Sequence, residues 1–143
     1  MNVEAILRNK GRSVTTIAPE ARIATAVAHL RRHAVGALVV SRDGASVDGI
    51  ISERDIVIAL ADHGAAALDL AVADLMSRRV ITCRRDDAVA DLAALMTERR
   101  IRHLPVVDRG ALAGIVSIGD VVKQRIDEVE NEASSMREFI ASA

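Results

Sequence analysis

The feature that most constrains how this 143-residue chain can fold is that the chain contains itself twice. Sliding the sequence by 66 places superposes Val14 on Val80, Thr16 on Thr82, Ala24 on Ala90, Ala28 on Ala94, Leu38 on Leu104, Val40 on Val106 and Gly44 on Gly110. After one residue is lost in a turn, a shift of 65 superposes Gly49 on Gly114, Ile50 on Ile115, Ser52 on Ser117, Asp55 on Asp120 and Val57 on Val122. Ordered identities with a single deletion in a turn mark two copies of one unit, near residues 1–66 and 67–130, followed by an amphipathic tail over residues 131–143. A unit of about 60 residues is marginal by itself. The copies are therefore expected to pack together with pseudo-two-fold symmetry, and a cleft between them should hold two related sites.

Within each unit the apolar spacing changes period. Residues 25–32 and 91–99 carry helical spacing, with Ile23, Val27 and Leu30 in one copy and Val89, Leu92 and Met96 in the other. Residues 37–40 and 104–107 are apolar runs too short for helices. Each is followed by a glycine turn, Asp43-Gly44 or Arg109-Gly110, and a second run ending Gly49-Ile50-Ile51 or Gly114-Ile115-Val116, which is a hairpin signal. A helix then starts at Ser52 or Ser117. With short strands over 14–17 and 80–83, the fold class is α/β, built from two β-α-β-β-α units.

Composition removes several function classes. Half the residues are apolar but only 1% are aromatic, Phe139 alone, so bases have no rings to stack on. A net charge of −1 supplies no basic surface for a duplex. Nucleic acid is not an expected partner. The single cysteine, Cys83, excludes an internal disulfide and a zinc site built on several thiolates, and fits a reducing compartment, the cytoplasm. It stands opposite Ile17 in the repeat and reads as a small buried hydrophobe. No apolar run reaches the roughly 20 residues that span a bilayer, and no secretory pattern opens the chain, so no membrane association is expected. His29 and His33 lie four apart on a predicted helix without a third ligand, which reads as surface and not as a metal site. No nucleophile-base pattern or glycine-rich phosphate loop is present, so no enzyme activity is expected.

The polar residues kept in both copies are Thr16/Thr82, Ser52/Ser117 and Asp55/Asp120. Ser-x-x-Asp at a helix start is close to a capping box, which is a sufficient structural role. The same geometry also serves a ligand, because a helix N-terminus offers free N–H groups to a phosphate and a first-turn carboxylate accepts hydrogen bonds from a ribose. Both roles stay open at this point.

The stretches Gly49-Ile50-Ile51-Ser52-Glu53-Arg54-Asp55 and Gly114-Ile115-Val116-Ser117-Ile118-Gly119-Asp120, with Arg102-His103-Leu104-Pro105-Val106-Val107, make the chain resemble the paired CBS domains, or Bateman modules, over nearly its whole length. The resemblance implies regulatory binding of AMP, ADP, ATP, NAD(H) or S-adenosylmethionine between the copies, with no required cofactor. It implies one site from Ile115, Ser117 and Asp120 facing Thr16, Ala21, Val35, Gly36 and Ala37. The other combines Ile50, Ser52, Arg54 and Asp55 with Thr82, Asp87 and Ile101, while Arg102 and His103 lie near the cleft in either case as phosphate ligands. Small groups at Ala21, Gly36 and Ala37 favour the Asp120 site for a mononucleotide, since Asp87, Arg102 and His103 crowd the other. Val39 stands where the second copy has Pro105.

The resemblance further implies a homodimer, clasped by the tail with Val129, Met136, Phe139 and Ile140, and a separate effector protein that receives the signal. The alternative is a scaffold that binds no ligand and whose Ser-x-x-Asp motifs are caps only.

Overall fold

The computed structural model describes residues 1–142. The first sheet is β1 (Thr16–Ile17), β2 (Ala37–Val40) and β3 (Gly49–Ser52) in that spatial order. β1 runs parallel to β2, and β2 pairs antiparallel with β3, Val39 opposite Ile50. Between them lie α2 (Ile23–His33), which crosses over, and α3 (Glu53–His63), which leaves β3 directly. A 3-10 turn, Gly64–Asp69, closes the unit. The second unit repeats this with α5 (Val89–Arg99), β4 (His103–Asp108), β5 (Ala111–Ser117) and α6 (Ile118–Ser142). The expected mixed α/β repeat is present.

One expected strand is not. Residues 80–83 form only a parallel bridge, Cys83 to Val106, the counterpart of Ile17 beside Val40. Cys83 N–H donates to Pro105 O (3.0 Å) and Val107 N–H donates to Cys83 O (2.9 Å). The pair that would come next, Thr82 beside Pro105, matches Thr16 beside Val39 in the first sheet. Pro105 has no N–H to give to the ladder, so the strand stops one residue short.

Two further helices, which periodicity in single copies did not reveal, interlock the units. α1 (Val3–Lys10) packs Val3, Ile6 and Leu7 into the core of the second unit, among Cys83, Val89, Leu92, Met96, Leu104, Val106, Val116 and Val121. α4 (Val72–Leu75) does the reverse, placing Val72 and Met76 among Ile17, Ile23, Ala26, Leu38, Val40, Ile51 and Ile56 of the first unit. Matching bridges, Asn2 to Ala88 and Ala71 to Arg22, anchor the two exchanges. Each uses a glycine as its seat. A Cβ on Gly49 would lie 2.6 Å from Met76 Sδ and 2.9 Å from Ser77 O, and one on Gly114 would lie 2.8 Å from a Leu7 methyl. Each half of the core is thus completed by the other half's first helix, which is how units of marginal size reach a full core.

The tail expected over residues 131–143 is the unbroken continuation of α6, with Ala143 outside the described residues. Cys83 is buried as expected. No helix among the described residues is long and apolar enough to cross a membrane.

Candidate functional site

Both Ser-x-x-Asp motifs fold as capping boxes. Ser52 N–H donates to Asp55 Oδ2 (2.8 Å), the Ser52 hydroxyl donates to the same oxygen (3.0 Å), and Asp55 N–H reaches back to Ser52 Oγ (3.4 Å). At α6, Ser117 N–H donates to Asp120 Oδ2 (2.8 Å) and Asp120 N–H to Ser117 Oγ (3.2 Å). A second matched contact ties each helix start to the loop ahead of a central strand, with Glu53 N–H on Gly36 O (3.0 Å) and Ile118 N–H on Arg102 O (2.8 Å). Each of these loops leaves its helix through a left-handed residue that is not glycine, Ala34 (φ 52°) or Arg100 (φ 54°). Such a residue costs roughly 1 kcal/mol, held here by the surrounding packing.

What surrounds the two caps differs. A cleft of about 440 Å³ opens beside Asp55, within the range of small-molecule sites, roughly 300–1,000 Å³. Its apolar walls are Ala37, Ile50, Val80, Ile81, Ile101 and Ile118. Ser52, Asp55, Ser77 and Ser117 provide hydroxyl and carboxylate groups, and Arg54, Arg79, Arg100 and Arg102 ring it with four exposed guanidinium groups. His103 stands inside. Burial pushes its imidazole below the usual histidine range, and the positive charges of Lys10 and Arg102 act in the same direction against Glu53 and Asp120. Gly36 leaves that space open, for a Cβ there would meet Glu53 Oε1 at 3.2 Å and His103 Cε1 at 3.3 Å.

Beside Asp120 lies a hollow of about 70 Å³, walled by Ile6, Asn9, Lys10, Lys123, Gln124 and Asp127. Lys10, the last residue of α1, donates its ammonium to Asp120 Oδ2 at 2.6 Å. Burial would raise the Asp120 carboxyl. The Lys10 hydrogen bond and charge and the Ser117 N–H outweigh it, leaving the group below the ordinary carboxylate range.

The sequence-derived residues divide accordingly. Gly36, Ala37 and Ser117, placed by resemblance around Asp120, line the cleft of Asp55, together with Arg102 and His103, which the resemblance sets near the cleft in either case. Thr16, Ala21, Val35, Ile115 and Asp120 itself lie off it: Thr16 is held in β1, Ala21 O accepts from Val72 N–H, and Ile115 pairs with Pro105. Ile50, Ser52, Arg54, Asp55 and Ile101 line the cleft, while Thr82 and Asp87 do not. Arg79 and Arg100 belong to the basic pairs Arg78-Arg79 and Arg99-Arg100, which the sequence reads as solvated faces with charge to offer a cleft phosphate, while Val80 and Ile81 carry no such signal. For Arg79 a further signal is a third offset: sliding by 69 puts Val3 on Val72, Leu7 on Met76 and Lys10 on Arg79, which aligns the two exchanged helices and sets Arg79 opposite the last residue of α1. His29 and His33 face each other edge on, ring centres 6.0 Å apart, and no cluster of metal-ligating side chains occurs among the described residues.

A sequence model of the CBS domain matches residues 5–62 and again 72–127. The chain is 43% identical to a CBS-domain containing protein from Agrobacterium tumefaciens whose crystal structure is solved, with a TM-score of 0.85 over 87% of this chain and 99% of that one. It is 29% identical to a CBS domain protein from Pyrobaculum aerophilum complexed with AMP, TM-score 0.75, covering 84% of this chain and 89% of that one. It is 27% identical to the CBS domain pair of protein MJ0100 in complex with methylthioadenosine and S-adenosyl-L-methionine, TM-score 0.79, covering 90% and 98%.

Proposed function

This chain belongs to the CBS-domain family as a tandem pair, and from that premise we propose that it is a regulatory module that takes an adenosine-containing nucleotide into the Asp55 cleft and reports occupancy to a partner protein. The observation that carries the reading is the 440 Å³ cleft in which a capping carboxylate, two helix starts and four arginines converge. Asp55 Oδ2 is engaged by its own cap, and its other oxygen accepts a ribose hydroxyl. The flat base lies between Ile50 and Ile101, and its edge reaches backbone groups of the Gly36–Ala37 loop. Phosphate meets the arginines and the free N–H groups of the first turns. Structural relatives described with AMP, and with methylthioadenosine and S-adenosyl-L-methionine, support the adenosyl class. AMP, ADP, ATP and NAD(H) remain the candidates, now at Asp55.

The output of such a module is occupancy and not turnover. A ligand shifts its partner only by the difference in its affinity for two conformations. A reducing compartment such as the cytoplasm suits the buried Cys83 thiol.

The closed capping boxes favour a second reading, in which both aspartates serve structure alone and the protein is a scaffold. Calorimetry and thermal unfolding with AMP, ADP, ATP, NAD, NADH and S-adenosylmethionine separate the two. A ligand at about 100 times its dissociation constant adds roughly 2.7 kcal/mol of stability, and Asp55→Ala should abolish the gain. If no ligand binds and the variant loses only about 1 kcal/mol, as a broken cap does, the scaffold reading takes its place.

A further inference from the structure

No arginine of the Asp55 cleft has an arginine counterpart in the other repeat. Arg54 corresponds to Gly119, Arg100 to Ala34 and Arg102 to Gly36. Arg79 corresponds to Lys10 on the exchanged helix, and that ammonium is spent on Asp120. A chain with a net charge of −1 thus gathers four guanidinium groups at one of two related half-sites. The hollow at the other is lined by none.

The four are not accounted for by the fold. None is in an ion pair among the described residues, and together they outnumber the two carboxylates of the lining, Glu53 and Asp55. Two of them also sit where the backbone disfavours them. Arg54 is in the first turn of α3, where the helix dipole opposes a cation. Arg100 has φ 54°, a left-handed conformation that suits Gly or Asn. Four like charges around one concave site repel one another until an anion enters, and local rules broken together in this way mark a functional demand.

The number of arginines sets the size of that anion. A single phosphate presents about three acceptor oxygens. A guanidinium fork takes up to two, so one phosphate fills about two forks and leaves the others unmatched. The cleft also reaches from the start of α3, at Ser52, to the start of α6, at Ser117 and Ile118. The segment carrying Arg100 and Arg102 runs beside that second start, where Arg102 O accepts from Ile118 N–H at 2.8 Å. A chain of phosphates leaving a ribose at Asp55 passes these two arginines. A dinucleotide fits less well, because its second ribose would need the carboxylate that Lys10 already holds, and a sulfonium ligand brings a cation to four cations.

We propose that the Asp55 cleft selects an adenosine polyphosphate, ATP above ADP, over AMP, dinucleotides and S-adenosylmethionine, with Arg100 and Arg102 holding the added phosphates. This rests on the adenosyl reading of the same cleft and adds to it what discriminates among adenosyl ligands.

The test is calorimetry on the full chain in buffer free of divalent cations. ATP should bind at least about tenfold tighter than AMP, with ADP between them, and the gap should narrow at high salt. NAD and S-adenosylmethionine should bind more weakly than ADP. Arg100→Asn with Arg102→Gln should lower the ratio of ATP to AMP affinity at least about fivefold. Both side chains are exposed and Asn tolerates the left-handed backbone, so circular dichroism should show unchanged folding. If AMP binds as tightly as ATP and Asp55→Ala removes both, this inference is overturned while the adenosyl reading stands. Inorganic tripolyphosphate that binds where no nucleotide does would overturn the adenosyl reading and this inference with it. NAD or S-adenosylmethionine binding as tightly as ATP, or a ratio unmoved by the double variant, overturns the inference as well.

Discussion

The two capping boxes of this molecule are nearly superposable, yet one stands beside an open cleft and the other is shut. Ser52 and Ser117 each give their N–H to an aspartate oxygen at the same 2.8 Å. The difference comes from the exchanged helices. α1 runs for eight residues and delivers Lys10 onto Asp120, whereas α4 ends after four and the chain turns at once into an antiparallel bridge from Ser77 to Ile50. Arg79, the counterpart of Lys10, is therefore left on the rim of the open cleft. A duplicated motif fixes which groups are offered, and the neighbouring element's length decides whether they are free.

The sharpest test of that contrast is the pair Asp55→Ala and Asp120→Ala. Loss of a charged acceptor should lower ligand affinity about 100-fold in the first, measured by calorimetry, and leave it within about threefold in the second. The opposite pattern would reverse the assignment of the sites.

Next in size, Gly49→Ala should cost about 2–3 kcal/mol in chemical unfolding, since its methyl meets the Ser77 carbonyl oxygen at 2.9 Å, and backbone cannot give way cheaply. Gly114→Ala should cost about 1 kcal/mol, because its methyl meets only the end of the Leu7 side chain. Equal costs would mean that the two exchanged helices are seated alike.

A smaller effect is expected from pH. An anionic ligand beside His103 favours the imidazolium, whose pKa in the free protein is depressed, so binding should take up a proton and tighten as pH falls from about 8 toward 6.5. His103→Gln should flatten that dependence, read as the slope of affinity against pH. The depressed His103 also costs folding stability as pH drops below its ordinary value of 6.5. Asp120 acts in a more acidic window. Its stabilisation is complete above its ordinary value of 3.8 and is lost as pH falls through the lower value of the folded state.

The smallest stability change should come from Lys10→Ala, about 0.5 kcal/mol for a partly exposed pair. Its informative readout is stoichiometry. Freed from its ammonium partner, Asp120 should take a second ligand weakly, raising the calorimetric ratio above that of the native chain. An unchanged ratio would show that the walls of the small hollow, and not Lys10, keep that site closed.

Much of the fold is legible in the sequence. The β-α-β-β-α order, the hairpins and the helices starting after Ser52 and Ser117 rest on contacts between near neighbours, the capping bonds spanning three residues. Local patterns report local bonds faithfully. The loss of the strand at residues 80–83 was written in Pro105, whose missing N–H matters only once its strand neighbour is known. The preference for the Asp120 site came from side-chain size at Gly36 and Ala37, which in the folded protein line the Asp55 cleft instead.

The sequence by itself determined the duplication, the α/β unit, the paired caps and the amphipathic tail, because each is a periodicity or a short-range bond. Only the tertiary structure decided which cap is free. That depends on α1 crossing to the other unit and on an ammonium meeting a carboxylate 110 residues away. Such a contact is set by where two helices end in space, which no spacing along the chain encodes.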